Sequence, residues 1–590
     1  MKLTVSKSKN SASFYVQKSI RKENGSVTTI TIEKLGNINE VRTRAGGGDP
    51  YKWAQEYVNE LNRREYEEQK EIIISRSPSK LIAKGQMNSY NCGYLFLQKI
   101  YYSLGFDKIC RKISGRHEFE YDLNDILSRL LYTRILYPSS KLASTKQSTV
   151  FIEQPSFRLH DVYRALSVLA DESDYIQSAL YDNSQKVIER RKDILYYDCT
   201  NYFFELEQED GFRKYGKSKQ HQPLPIVGMG LFMDYDGIPL AFDIFPGNKN
   251  EQPTLKPLEK KVIKEYGLDK VIVCTDAGLS SKTNRKYNDL ELNGEKIRSF
   301  ITTQSVKQLP DYLQEFTLDP AGWSLIGDDK TYNLNEIDED ECYNKTFYKD
   351  RWIKEDLSGR KIRQGAKPLE QHLIISYSVK YKNYQRKIRN SQIERAQKLI
   401  DNGTYKKRGK NQNDPKRFIG IQSMTQSGEA CEKEIAFLNT DAIAKEEKYD
   451  GFYGVCTNIS DMSLAEIIAI NHKRWEIEEC FRIMKTEFKA RPVYLQKEDR
   501  IKAHFITCYA ALFMFRILEK KLGGEYTCEE IISALRSMMM YRPGEKQGYI
   551  PAYTRTDLTD KLHDVLGNRT DYEIITDLSM KRIIRESKKK

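Results

Sequence analysis

The 590-residue sequence lacks the features that mark membrane and secreted proteins. No apolar stretch reaches the roughly 18 residues of a membrane-spanning helix, and the best candidate, Tyr509 to Leu518, is interrupted by Arg516. The basic residues at the N-terminus are not followed by an apolar segment of signal-peptide length. We therefore expect a cytoplasmic protein with no membrane partner.

The sequence also lacks paired cysteines and internal repeats. Its ten cysteines are scattered and form no C-x-x-C pair, which argues against a zinc knuckle and against a disulfide framework. We expect them to be small buried residues in a reducing compartment. Apolar residues make up 39% and charged residues 30%, a balance typical of a globular protein with several structural units rather than a disordered chain.

Positive charge is concentrated in one segment. The whole chain has 96 basic and 83 acidic residues, whereas residues 380–417 alone have 13 basic and 3 acidic ones. Such a block is either a solvated surface or a contact for the DNA backbone, because each lysine or arginine that neutralises a phosphate releases counterions. If it binds DNA, we expect Lys406, Lys407 and Arg408 to contact phosphates.

Changes in residue pattern divide the chain into six predicted segments. They are an N-terminal β-hairpin with a charged helix (1–85), a helical domain (86–190), the first part of an α/β core (191–296), a basic insertion with short strands (297–447), the second part of the core (448–522) and a C-terminal tail region (523–590).

Two aspartates occupy unusual positions in the predicted core. Asp198 lies inside a strand that is apolar on both faces, and Asp276 ends a later strand. The predicted core has three strands, then a helix, then a strand that returns beside the first. This order would bring the two carboxylates together, because neighbouring strands lie about 4.8 Å apart. They could then share a metal ion. The alternative is that one carboxylate binds a loop backbone and the other caps the next helix.

A helix near residue 480 carries a third carboxylate between two basic residues. At about 100° per residue, Arg474, Glu478 and Lys485 fall within about 40° of one another, whereas Glu476 and Glu479 point elsewhere. The simpler interpretation is an ordinary ion pair between Arg474 and Glu478 across one helical turn.

Together these motifs resemble the DDE transposases of bacterial insertion sequences. The resemblance rests on Asp-x-Thr in the first strand, Asp-Ala-Gly at the end of a later strand and Arg-x3-Glu-x6-Lys in the helix. More narrowly, the chain resembles the insertion-sequence-four-like group, which is defined by a Tyr-Arg-Glu-Lys signature. The signature tyrosine should stand three residues before Arg474, but that position holds Asn471.

The resemblance implies a fold and a site. The fold would be an α/β catalytic core, RNase H-like, with a five-stranded mixed sheet and flanking helices, a β-containing insertion and a mainly helical N-terminal domain that binds DNA ends. The implied catalytic residues and metal ligands are Asp198, Asp276 and Glu478. The implied DNA contacts are Arg474, Lys485 and Thr200.

The resemblance also implies a reaction and its partners. Two divalent ions, magnesium or manganese, would activate the attacking oxygen and stabilise the leaving oxygen during cleavage and strand transfer. The partners would be the terminal inverted repeats and target DNA, both double-stranded, bound by a dimer in the bacterial nucleoid.

Three alternatives stay open. A haloacid-dehalogenase-like phosphotransferase also has an aspartate in a buried strand, but it requires Asp-x-Asp, and here the third position is Thr200. A nuclease that cuts DNA without transposing it would have the same motifs. A domesticated or inactive RNase H-like DNA-binding protein would keep the fold without transposition activity.

Overall fold

The computed structural model describes residues 1–8, 11–21, 26–68, 74, 77–355, 368–404, 414–424, 430–544 and 546–589. Lys406, Lys407 and Arg408, the predicted phosphate contacts, lie outside these residues. The chain folds into two compact units. The small unit comprises Met1–Tyr90, Met539–Thr554 and Arg569–Arg585, and the large unit comprises Asn91–Met538, Arg555–Asn568 and Glu586–Lys590. Both units therefore combine stretches that are distant in sequence.

The strands in chain order are β1 (Lys2–Ser8), β2 (Ser11–Arg21), β3 (Val27–Asn37), β4 (Ser89–Asn91), β5 (Ile194–Phe203), β6 (Ile226–Asp234), β7 (Pro239–Pro246), β8 (Val271–Thr275), β9 (Leu290–Leu292), β10 (Glu295–Gln304), β11 (Trp323–Leu325), β12 (Thr331–Tyr332), β13 (Phe347–Glu355), β14 (Leu369–Tyr377), β15 (Ile419–Met424), β16 (Ala430–Leu438), β17 (Phe452–Thr457), β18 (Met539–Tyr541) and β19 (Ile550–Pro551).

The helices are α1 (Ile38–Arg44), α2 (Pro50–Glu68), α3 (Tyr94–Ser103), α4 (Phe106–Ser114), α5 (Leu123–Leu136), α6 (Lys141–Gln147), α7 (Leu159–Asp171), α8 (Ser173–Ser184), α9 (Leu255–Tyr266), α10 (Lys282–Tyr287), α11 (Asp311–Leu318), α12 (Val379–Asp401), α13 (Thr440–Glu447), α14 (Leu464–His472), α15 (Trp475–Arg482), α16 (Glu498–Lys521), α17 (Cys528–Ser537), α18 (Asp557–Leu566) and α19 (Asp577–Ser587). A π-helical segment, Ile483–Glu487, continues α15.

The small unit contains the predicted hairpin, β2 and β3, but a third strand joins it. β1 pairs with β2, so the sheet is a three-stranded antiparallel one. The pattern of β1 is mostly polar, which is usual for an edge strand and explains why the sequence did not predict it. The predicted charged helix is α2. It begins at Pro50, and the Tyr51 backbone N–H donates to Asp49 Oδ1 at 2.9 Å.

The large unit is built on one mixed sheet. The strand order β7-β6-β5-β8-β10 contains the predicted arrangement, because β5, β6 and β7 are antiparallel and β8 returns parallel to β5. Helix α9 lies between β7 and β8 in the chain, and its apolar side packs against β5 and β8. The predicted sequence of three strands, a helix and a returning strand is confirmed.

The predicted insertion extends this sheet instead of forming a separate layer. β10 pairs in parallel with β8, β17 pairs with β10, and β14 and then β13 follow beyond β17. Buried apolar residues on β14, including Leu373 and Ile375, cover one face of this extension together with Trp323 of β11. Strands from residues 297–447 therefore continue the sheet that holds the two aspartates.

Helix α16 forms the centre of the helical layer. Among the described residues it is the single helix long and apolar enough to cross a membrane, and 94% of its apolar window is buried inside the protein. This burial is what a core helix requires. The cysteines whose side chains are described are all buried and none of them forms a disulfide, as expected for small core residues.

Candidate functional site

Asp198 and Asp276 occupy matching positions on neighbouring parallel strands. In the register of β5 and β8, Tyr197 lies opposite Thr275, so the next residue along each strand is one of the two aspartates. Adjacent strands are about 4.8 Å apart, and the negative charge of Asp276 acts on Asp198. The structure therefore brings these two carboxylates together.

The carboxyl group of Asp198 is partly buried and has charges of both signs around it. Burial raises the pKa of Asp198 to about 6, and the charge of Asp276 adds to the rise. Lys219 and Arg474 oppose it, as does the Cys199 backbone N–H, which donates to Asp198 Oδ1 at 2.7 Å. The surrounding cationic groups therefore favour the ionised form of Asp198, which burial disfavours.

The face of β5 that carries Asp198 also faces the glutamate helix. Side chains alternate along a strand, so Tyr196, Asp198, Thr200 and Tyr202 share one face. The Tyr196 hydroxyl donates to the Ile470 carbonyl at 2.9 Å, and the Tyr202 hydroxyl approaches the sulfur of Met484 at 3.7 Å. The face of β5 that carries Asp198 is therefore turned towards α14 and the π-helical segment, which lie on either side of α15 in the chain.

Asp276 begins the loop that follows β8. Its Oδ1 accepts a hydrogen bond from the Leu279 backbone N–H at 2.9 Å, so one of its oxygens supports the loop. A Cβ atom at Gly278 would lie 3.3 Å from Oδ2, and the glycine keeps that side of the carboxylate uncrowded. The turn that uses Oδ1 of Asp276 therefore leaves Oδ2 free of crowding from Gly278.

Glu478, the third predicted carboxylate, is paired with Arg474. Arg474 Nη1 lies 3.2 Å from Glu478 Oε1, and the glutamate side chain is 59% exposed. Burial lowers the pKa of Arg474, but the charges of Glu478 and Asp198 outweigh this effect and raise it above its ordinary value. One guanidinium is therefore a neighbour of both Glu478 and Asp198.

Lys485 lies in the π-helical segment, which changes the geometry that a regular helix would give. Its ammonium donates to the Thr200 hydroxyl on β5 and lies 5.6 Å from the ring centre of Tyr202. Burial lowers the pKa of Lys485 to about 8, and the charges of Arg491 and Lys219 contribute to the decrease. Arg474 and Glu478 pair as the helical spacing predicts, whereas Lys485 reaches the strand.

Sequence reasoning missed Lys219. Its ammonium donates to the Cys199 carbonyl and lies 3.4 Å from Glu251 Oε1, and its charge is the strongest one that favours ionised Asp198. The signal that could have indicated it is the connection 204–225 between β5 and β6, far longer than the roughly two to five residues of a hairpin loop. Long loops beside a site commonly carry functional side chains.

Asn471, which stands at the position of the signature tyrosine, contacts a tyrosine from another strand. Its Nδ2 donates to the Tyr453 hydroxyl at 3.0 Å, and that hydroxyl lies 2.8 Å from Thr303 Oγ1. Tyr453 belongs to β17 and acts electrostatically on Arg474. A phenol is therefore present near Arg474, although the sequence has none three residues before it.

The basic segment 380–417 is partly structural. Arg389 of α12 is buried, with Nη1 2.6 Å from Asp450 Oδ1 and Nη2 3.0 Å from Glu447 Oε1. This side chain joins α12 to the chain that leads into β17 and is not available to DNA.

Comparison with known proteins gives a partial match. Residues 358–514 match the family model described as "Transposase DDE domain". This region is about a quarter of the chain, and it includes α15 with Glu478 but not β5 or β8. No curated protein matches the chain.

One solved structure that resembles the chain is a cryo-EM structure of a piggyBac transposase synaptic complex with hairpin DNA. The sequence identity is 9%, the alignment covers 84% of each chain and the TM-score is 0.33, which is too low to assign a common fold. The family match thus carries the comparison, and it shows that residues 358–514 are similar to transposase DDE domains.

Proposed function

We propose that this protein is a DDE transposase that cuts DNA at the ends of an insertion sequence and transfers the freed strands to target DNA. The observation that carries the proposal is the pair of aspartates in register on β5 and β8, in the same unit as a helix within the transposase DDE match. The strand order β7-β6-β5-β8-β10, with three antiparallel strands followed by two parallel ones, supports an RNase H-like core. The assignment to the insertion-sequence-four-like group rests on the sequence motifs alone.

Asp198, Asp276 and Glu478 have the ligand chemistry of a site for hard divalent cations. The strand register brings Asp198 and Asp276 together, whereas the oxygens of all three described carboxylates do not lie within 4.8 Å of one another. They supply only oxygen ligands, which magnesium and manganese prefer. The charge of Asp276 raises the pKa of Asp198, and a cation between the two would relieve that repulsion. When bound, two such ions activate the attacking oxygen and stabilise the leaving oxygen of an in-line displacement. Glu478, exposed and held by a single described ion pair, would complete the ligand set.

The cationic side chains around the carboxylates would hold DNA phosphates. Arg474 neighbours both Asp198 and Glu478, and it can keep a phosphate oriented through its planar guanidinium. Lys485 and Lys219 both interact electrostatically with Asp198. They would offset negative charge that develops on the phosphate under attack. No covalent bond to the protein is required.

The depressed pKa of Lys485 predicts a pH-dependent affinity for DNA. The ammonium is charged below about pH 8 and loses its charge above it, so we expect wild-type affinity for end DNA to fall between pH 7 and pH 9. In Lys485→Arg the side chain stays charged over this range, and its contribution to this decrease should disappear. Equilibrium binding at constant salt would test this. An identical pH dependence in both proteins would contradict a phosphate contact by Lys485.

An excision assay tests the proposed function itself. The gene with its native flanking DNA is placed on a donor plasmid, and precise loss of the element is measured for the wild type and for Asp276→Asn. Asp269→Asn is a matched control, because Asp269 is exposed and precedes the same strand. We expect excision by the wild type and the control only. A wild type that is expressed but excises nothing would favour an inactive DNA-binding protein.

A further inference from the structure

A strongly cationic cavity lies in the large unit. Its volume is about 530 Å³, and it is formed by α5, α6, α7, the start of α16 and the loop 489–495. Four of its lining residues carry basic side chains, namely Arg134, Lys141, Lys489 and Arg491. Within the described chain, no carboxylate contributes to the lining.

Lys141 is buried in this wall without a counterion. Its side chain is 4% exposed, and its ammonium has no hydrogen-bond partner among the described residues. Burial, together with the charge of Arg134, lowers the pKa of Lys141 to about 7. A lysine is almost never fully buried unless it is paired, because the charged form loses its hydration.

The neighbouring cations are no better compensated. Arg134 is 3% exposed, and its guanidinium donates to the Phe488 carbonyl at 3.0 Å and the Ser139 carbonyl at 3.1 Å, both of them uncharged. Within the described part of the chain, Arg491 Nη1 is buried without a hydrogen-bond partner. The protein therefore concentrates positive charge here that its own described side chains do not neutralise.

His504 does not change this balance. Its Nε2 lies 3.0 Å from the Ala490 carbonyl, and burial together with the charges of Arg134 and Lys141 holds its pKa well below the ordinary value. The ring is therefore neutral at physiological pH and adds no positive charge. It can still line the cavity as a polar, uncharged surface.

The cavity is connected to the carboxylate site through the loop that follows the π-helical segment. The Val493 backbone N–H donates to the Phe203 carbonyl, at the end of β5, at 3.4 Å. The charge of Arg491 contributes to the depressed pKa of Lys485, which contacts Thr200. Arg491 thus lines the cavity and also acts electrostatically on Lys485 at the carboxylate site.

We propose that this cavity binds a phosphate group, supplied in the working protein by the DNA strand that enters the carboxylate site. The assignment of DNA as the source rests on the proposed function, whereas the phosphate site itself does not. Guanidinium groups match phosphate oxygens in pairs, and buried ammonium groups gain a counterion on binding. The volume is sufficient for a phosphate with its attached sugar.

The first experiment measures phosphate binding without DNA or metal. The melting temperature of the full chain is followed as inorganic phosphate replaces chloride at constant ionic strength and pH 6.5. We expect a saturable increase for the wild type and for Lys146→Met, a control at an exposed lysine on the same helix. Lys141→Met should show no such increase, and Lys141→Arg should retain most of it. Equal increases in wild type and Lys141→Met would overturn the proposal.

The stability of Lys141→Met without phosphate shows whether the variant folds. The folded-state pKa of about 7 lies below the ordinary 10.5, so the unfolded chain binds more protons between these values and wild-type stability rises with pH there. We therefore expect Lys141→Met to melt above the wild type below pH 7, with the difference disappearing near pH 10.5. A variant that melts below the wild type at pH 6 would contradict the buried, uncompensated charge.

The second experiment identifies the source of the phosphate. Binding of a duplex with the element's terminal sequence is measured without metal, so that no catalysis is required. We expect Lys141→Met to weaken binding about tenfold and to reduce the salt slope by about one, as for one lost phosphate contact. Unchanged DNA affinity together with lost phosphate stabilisation would support the cavity but overturn DNA as its source. If the wild type binds no DNA, the proposed function fails while the phosphate titration still decides the cavity.

Discussion

Replacing Asp198 with asparagine is expected to abolish manganese-dependent stabilisation of the protein and its cleavage of DNA. Asp198 lies in register with Asp276, and an ion held between them requires both charges. A loss of several kcal/mol of transition-state stabilisation corresponds to cleavage about 1000-fold slower or more. Melting temperature with and without Mn²⁺, and cleavage of a labelled end substrate, would be measured on the same preparation.

Asp193→Asn is the matched control for this change. Asp193 precedes the same strand, is about half exposed and pairs with Arg191 at 3.2 Å. Both the manganese shift and cleavage should survive its replacement. If Asp198→Asn kept the manganese shift while Asp193→Asn lost it, the proposed metal site would be wrong.

The pKa of Asp198 gives a further readout in the absence of metal. The folded-state pKa of about 6 lies above the ordinary 3.8, so the folded protein binds this proton more tightly and wild-type stability falls as the pH rises between these values. Asp198→Asn removes that decrease. The metal-free variant should therefore be more stable than the wild type above pH 6, and the advantage should disappear below about pH 4.

Two glutamates that are two residues apart on α15 are expected to respond in opposite ways to replacement by glutamine. Glu476 is 5% exposed and accepts a hydrogen bond from Arg516, which also donates to the Gly237 carbonyl at 2.7 Å. Removing one partner of a buried ion pair costs about 3 kcal/mol. Glu476→Gln should therefore lower the melting temperature by several degrees, and the remaining folded protein should still cleave DNA.

Glu478→Gln should do the reverse. The side chain is exposed and its one described ion pair, with Arg474, contributes at most about 1 kcal/mol, so the melting temperature should hardly change. Cleavage should fall by about 1000-fold, because a proposed metal ligand is lost. Melting curves and single-turnover cleavage of both variants would be compared. Loss of stability in Glu478→Gln with cleavage retained would assign this glutamate a structural role.

The turn at Gly237 explains why Glu476 is expected to have a structural role that Glu478 does not have. Gly237 has φ +78, and a Cβ atom there would lie 1.8 Å from Glu476 Oε2 and 2.2 Å from an Arg516 nitrogen. The ion pair therefore packs directly against a backbone that only glycine can supply. Spacing on a helical wheel separates Glu476 from Glu478, but burial against this turn makes their chemistry different.

Much of the core could be predicted because its signals are local. The continuous apolar run around Asp198 indicates a strand covered on both faces, and the order of strands and helix predicts that Asp276 returns beside it. The helix with Arg474 and Glu478 follows from spacing alone, and the structure retains their ion pair. These features depend on neighbours in the sequence or on a single crossover.

Other features depend on contacts between distant segments, and the sequence pattern contains little information about such contacts. Lys219 acts on Asp198 from a long loop, Tyr453 reaches Asn471 from a strand, and Lys141 is buried by residues from three other parts of the chain. A basic side chain in a sequence looks the same whether it is solvated or buried. Only its surroundings decide its charge state and its partner.

The sequence by itself thus determined the strand order around the two aspartates and the ion pair between Arg474 and Glu478, because periodicity and a single crossover encode them. The tertiary structure alone decided that the strands of the predicted insertion continue the same sheet, that a π-helical turn sends Lys485 to Thr200, and that uncompensated cations surround a cavity. The physical reason is that strand pairing, desolvation and counterion balance are set by residues far apart in the chain.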